Sequence, residues 1–242
     1  MHWKKKSYLV HRWAGLLISV QLLAWSVGGL VFSLMDIEAV RGNRDRVTAA
    51  PSLIDPQVTI ITPEQAVAAA RRVLGDIDVS GLVLRSRESQ LVFDVLGVES
   101  RPLAVVNASD SRVCTDIGAE EAKRIAIADF QFTAQVESVE LIEDEAPLEY
   151  RGKRLPAYRV ILDHAKAPHI FVCAVTGDVQ ARRNRSWRIF DFFWMLHIMD
   201  YGQRENFNHW LLTGASAMAV ATSATGILLW GLRLKRRRRA AT

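Results

Sequence analysis

The first 35 residues and the last 37 contain no aspartate or glutamate. All 26 acidic residues fall between Asp36 and Glu205, whereas ten bases occupy the acid-free ends: Lys4, Lys5, Lys6, Arg12, Arg233, Lys235 and Arg236 to Arg239. The middle carries 21 bases against 26 acids, a net −5, although the whole chain is +5. The basic character therefore belongs to the ends. A nucleic-acid-binding face is excluded, because the middle has no dense basic patch with interleaved aromatics. Cysteine is also scarce, with only Cys114 and Cys173. There is no CxxCH, so a covalently attached haem is excluded. There is no Walker loop, dinucleotide glycine pattern or nucleophile–base pair. No tight His/Cys/carboxylate cluster suggests zinc.

The acid-free ends hold the long apolar runs. Trp13 to Met35 is 23 residues without a charge, and Phe207 to Leu232 is 26, counting His209 as neutral. About 20 apolar residues cross a bilayer's hydrocarbon core as a helix, so two transmembrane helices are expected, at 13–35 and 207–232. All seven tryptophans lie in or beside these runs, at positions 3, 13, 25, 187, 194, 210 and 230, as in an interfacial aromatic belt. KKK precedes the first run and RLKRRRR follows the second. The positive-inside rule then puts residues 1–12 and 233–242 in the cytoplasm and the middle outside, which in a bacterial cell is the periplasm. The first run is too long for a cleaved leader, and "FSLMDIEAV" is a poor cleavage site, so it reads as an uncleaved signal anchor. In an oxidising compartment Cys114 and Cys173 have two readings, one disulfide or two buried strand thiols.

Residues 36–61 read as a connector with Pro51 and Pro56. "ITPEQAVAAARRVLG" then opens a helix: Thr62 is a good N-cap, Pro63 suits the first helical position, and Gly75 is a stop signal. The strand-like runs "GLVLRS", "QLVFDVLG" and "PLAVVN" follow. The order then repeats, with a helix in "GAEEAKRIAIADF" and strands in "VESVELIE", "LPAYRVIL" and "HIFVCAV". The two copies are offset by about 56 residues, which points to paired α+β modules with antiparallel sheets at 62–117 and 118–186. Residues 187–206 read as an interfacial segment.

The "ITPEQAVAAA" start, the strand pairs and the "AVTGDV" ending resemble the PepSY domain. The second unit is the closer match, and the first carries "NASDSRV" where DxxTGxV is typical. "HRWAGLLISVQLLAWSVGGLVFSL" and "TSATGILLW" resemble the membrane helices of PepSY-associated transmembrane proteins. Larger members of that family include ferrisiderophore reductases with four spans. The resemblance implies electron transfer and a b-type haem. It also implies that His11, in "HRW", and His197, in "LH", stand at the family's histidine positions. With two spans, the chain is expected to be a subunit or accessory of a membrane redox system acting on a ferric chelate. It would be a homodimer or the partner of another subunit.

The residues themselves bound that expectation. His11 lies at the inner end of the first span, and His209 at the outer end of the second. A core about 30 Å thick keeps one iron from binding both within one chain. His197 and His209 flank the same outer surface, so they are the pair expected to approach each other, with Met195, Met199 or Met35 as substitute ligands. For His11 no partner is expected at the inner end of the second span, so a haem there needs His2, a second copy or another subunit. The alternative for all three histidines is a plain hydrogen-bonding role at the membrane surface. His164 and His169 read as solvated at a hairpin tip. "TGAS" at 213–216 resembles sites of FMN esterification, with Ser216 as acceptor. The preferred reading there is close helix packing through Gly214, Ala215, Ala217, Ala219, Ala221 and Ser223. Against electron transfer stands a different function, a membrane-anchored periplasmic scaffold or peptidase-regulating module without catalysis.

Overall fold

The computed structural model describes residues 2–48, 58–87 and 90–240, so Pro51 and Pro56 of the connector lie outside the described residues. The chain divides into two compact units: Met1–Asp36 with Arg188–Thr242, and Ile37–Trp187.

The first unit is helical. Helix α1 spans His2–Leu34 and α6 spans Trp210–Ala240, so both run past their apolar stretches into the basic ends. Two segments, His11–Leu34 and Trp210–Lys235, are long and apolar enough to cross a membrane. Their side chains face outward: Leu17 is 71% exposed, Val20 74% and Trp210 84%. An apolar surface of this extent needs a non-aqueous surround. The two helices meet through small and polar residues. A Cβ added at Gly15 would lie 3.6 Å from Thr222 Cγ2, and one at Gly226 would lie 3.3 Å from His11 Cε1. The close approach therefore falls at Gly15 and Gly226. At Gly214, where the sequence suggests close packing, an added Cβ would meet nothing within 4 Å.

The second unit is α+β. Helix α3 (Pro63–Leu74) begins at Thr62, whose hydroxyl accepts from Gln65 N while the Gln65 side chain accepts from Thr62 N. This capping box satisfies two backbone donors that the first turn leaves unpaired. Strands β1 (Gly81–Arg87), β2 (Gln90–Leu96), β3 (Pro102–Asn107) and β4 (Val113–Cys114) form one antiparallel sheet in chain order. Helix α4 (Ala119–Asp129) precedes β5 (Gln135–Ile142), β6 (Ala157–Asp163), β7 (His169–Cys173) and β8 (Val179–Arg183), which form a second sheet of the same order. Each repeat thus has four strands where the sequence pattern suggests three. The additions are a two-residue β4 and a polar β8 (VQARR), both too weakly apolar to register as strands.

Alternation along the strands explains the core. Phe93 and Val95 face α3, packing on Ala66, Ala69 and Ala70. Val92, the residue before Phe93, turns to the opposite face and joins Val105, Cys173 and Val175 in a cluster that draws on both sheets. Cys114 packs against this cluster, and both thiols are free.

An ionic lock also joins the repeats. Arg85 of β1 donates to Asp94 Oδ2 at 2.5 Å, to Asp178 Oδ1 at 2.7 Å and to Thr176 O at 2.9 Å. The receiving turn is the TGDV at 176–179. Gly177 sits there with φ +74°, and a Cβ on it would fall 2.7 Å from Arg87 Nη2. Burial raises the Asp94 carboxyl above its usual range, against the pull of Arg85.

The described part of the connector is ordered. A short helix, α2 (Ile37–Val40), leads into a tight turn at Asn43–Asp45. Val47 N donates to Asp129 O at 2.7 Å, Gln131 N to Asp45 O at 2.9 Å, and Lys166 Nζ to Asp45 Oδ1 at 2.5 Å. Gly42, at φ +74°, is required because a Cβ would meet Arg182 Cβ at 2.7 Å.

Candidate functional site

The final helix before the second span, α5 (Arg185–Ile198), ends among the residues singled out in the sequence. Its part in the first unit runs antiparallel along α1. Phe190 packs on Phe32 with ring centroids 4.6 Å apart, Phe193 lies beside Gly28, and Gln21 Nε2 donates to Leu196 O at 2.9 Å. Gln21 is thus used to bind the open end of α5, where the last carbonyls have no helical partner. Trp25 Nε1 does the same for His197 O at 2.8 Å.

The imidazole of His197 projects among three aromatic rings: Trp25 at 6.3 Å, Phe32 at 5.9 Å and Trp194 at 6.4 Å between centroids. It is exposed, and its ring nitrogens have no hydrogen-bond partner among the described residues. His209 differs. Its Nε2 donates to Ile198 O at 2.9 Å, because a carbonyl can only accept, and this fixes the proton on Nε2. Nδ1 then accepts from Leu212 N at 3.4 Å. His209 therefore caps α6 and ties its start to the end of α5, with both nitrogens engaged. His11 is intermediate. Thr225 Oγ1 donates to Ala221 O at 2.8 Å and receives His11 Nδ1–H at 2.9 Å, which leaves Nε2 open. Thr225 is a hydrogen-bond acceptor for His11 inside an apolar helix, a different role from the second iron ligand that the sequence leaves to His2, a second copy or another subunit.

The remaining candidates are placed as follows. Met195 is two residues before His197, about 200° around the helix and so on a different face. Met199 follows the helix end with φ 57°. Met35 directly follows the end of α1, three residues beyond Phe32. Ser216 is an exposed position on α6. The side chain of His2 lies outside the described residues. His164 and His169, read from sequence as solvated, are half-buried: His164 packs between Phe130 and Phe132, and His169 Nδ1 meets Glu149 Oε2 at 2.5 Å.

Sequence reasoning missed the pair that holds the loop between α5 and α6. Buried Asp191 pairs with Arg204, whose carbonyl accepts from Trp194 Nε1 at 3.1 Å. An acid in "WRIFDFFWML" was the available signal, since a charge among apolar side chains demands a partner. Asp200 organises the same loop by accepting from the backbone N of Gly202, Glu205 and Asn206, each at 3.1 Å. Those bonds, the one from Asn206 first, hold its carboxyl below the usual range.

Two apolar helices long enough to cross a bilayer, with an α+β unit of two four-stranded antiparallel sheets between them in sequence, define a membrane protein with a folded non-membrane domain. The model of the PepSY-associated TM region matches residues 2–233, so the chain belongs to that family. A search of curated proteins found no match, and neither did a search of solved structures.

Proposed function

We propose that the chain is a bacterial inner-membrane subunit or accessory of an electron-transfer system of the ferric-chelate-reducing type. Both termini are cytoplasmic and the α+β unit is periplasmic. The observation that carries this reading is the His197 imidazole: two unbonded ring nitrogens, exposed, within a collar of Trp25, Phe32 and Trp194. An axial ligand needs such a free nitrogen, and flat apolar rings suit the face of a macrocycle. Non-covalent b-type haem would supply one-electron chemistry there. The chain's part is to hold the imidazole, pack its aromatic rings against the group and exclude water.

The histidines divide by what is left on each ring. His197 offers either nitrogen and His11 offers Nε2, whereas His209 is committed to capping. Trp25 lies 14 residues beyond His11, or about 21 Å along α1. His11 and His197 therefore serve separate centres, and each takes its second ligand from a methionine, a second copy or a partner subunit.

The test is an absorption spectrum of the protein purified from haem-replete cells. A Soret band with reduced α-bands is expected, lost in His197→Ala and retained in His209→Ala. A colourless wild-type protein overturns haem carriage and leaves the membrane-anchored scaffold as the reading.

A further inference from the structure

At the basic end of the α1–α6 pair lies a groove of about 700 Å³, lined by Tyr8, Leu9, His11, Arg12 and Gly15. Its charge is uncompensated. No acidic residue occurs anywhere in the first 35 or last 37 residues, and Arg12 has no carboxylate partner among the described residues. The Arg12 guanidinium rests over the Trp13 ring, 5.4 Å from its centroid. One side of the groove is thus built of donors, the Arg12 fork and the Tyr8 hydroxyl. Beside them Leu9, Trp13 and Leu16 are exposed and apolar.

A ligand that satisfies both halves carries an anion on an apolar tail. We infer that this groove binds the phosphate headgroup of an anionic glycerophospholipid of the phosphatidylglycerol type, with its acyl chain along α1. Free phosphate would use only the polar half. A choline headgroup brings its own cation to an end already rich in bases, and the excess positive charge disfavours it. The inference rests on the helices lying in a bilayer and on the His11 edge of the groove being free of haem, and it is independent of a haem at His197.

The full chain in nanodiscs of phosphatidylcholine, alone or mixed with phosphatidylglycerol, tests it by thermal unfolding and by native mass spectrometry of retained lipid. The expected result is selective retention of phosphatidylglycerol and a higher unfolding midpoint. Arg12→Gln should weaken retention about fivefold, the scale of one interfacial cation. Replacing Lys4, Lys5 and Lys6 together by Gln should weaken it less than Arg12→Gln does. Equal retention of both lipids overturns the site. So does a loss that follows the lysines and not Arg12, which would mean diffuse attraction. Inorganic phosphate added in detergent should not shift the midpoint, and a shift equal to that of the lipid overturns the lipid assignment. Should alkaline carbonate extract the chain from membranes, the bilayer reading fails by itself.

Discussion

Phe171 and Leu17 are both large apolar side chains, yet one is 0% exposed and the other 71%. In the unit Ile37–Trp187 the apolar residues face inward, packing on Ala122 and Ala126 of α4 or on the cluster shared by the sheets. In the helical unit most large apolar side chains of α1 and α6 face outward, and polar groups join its segments: His11 to Thr225, Gln21 to Leu196 O, Trp25 to His197 O, Asp191 to Arg204. The same residue types obey the same physics in two solvents. Water drives apolar burial in one unit. Lipid gives a leucine no reason to prefer a helix neighbour over an acyl chain, so polar contacts and close backbone approach hold the other.

The largest expected effect tests that inversion directly. Phe171→Ala should destabilise the α+β unit by about 3–5 kcal/mol, a lost core side chain plus its cavity. Leu17→Ala should cost less than about 0.5 kcal/mol in nanodiscs, because lipid replaces the lost methyls. Chemical unfolding of both variants checks this, and equal costs would break the comparison.

Next in size is the lock between the repeats. Arg85→Ala leaves Asp94 buried without its cation, a loss of about 3 kcal/mol. The pH dependence has a definite sign. Burial already raises the Asp94 carboxyl in the folded state, and removing Arg85 raises it further. A carboxyl raised on folding contributes stability that is present below its unfolded value and lost as pH rises through its folded one. The deficit of the variant should therefore be largest at neutral pH and narrow as the pH falls toward about 4. A deficit that widens in acid would sink this account.

The smallest effect lies in the helical unit. Gln21→Leu removes the bond to the end of α5 and should cost about 0.6 kcal/mol, the mean for polar contacts between membrane helices. Reversible unfolding in mixed micelles measures it. A cost several times larger would show that polar contacts carry more of this unit than the comparison assigns them.

The legible parts of the chain were those with a local cause. The α3 cap was readable because Thr62, Pro63 and Gln65 act within one turn. The repeat was readable because helix and strand periods recur. The partnership of Arg85 with the TGDV turn was not, since the residues are about 90 positions apart and nothing in either stretch names the other. The histidines show the same limit. Their positions were evident, but which ring nitrogens remain free depends on Thr225, Ile198 O and Leu212 N. From sequence His197 and His209 formed the pair to test. The geometry separates them into an open imidazole and a helix cap.

Charge segregation and apolar run length determined by themselves that this chain has two membrane-length helices with basic ends, because bilayer thickness acts on contiguous sequence. The periodicities likewise determined two antiparallel α+β repeats. Only the tertiary structure decided that the part of α5 in the helical unit lies along α1, that His197 stands exposed beside Trp25, Phe32 and Trp194, and that Arg12 faces a groove without an opposing acid. Those facts depend on distant segments meeting, and a hydrogen bond or ring contact is fixed by distance in space, not by separation along the chain.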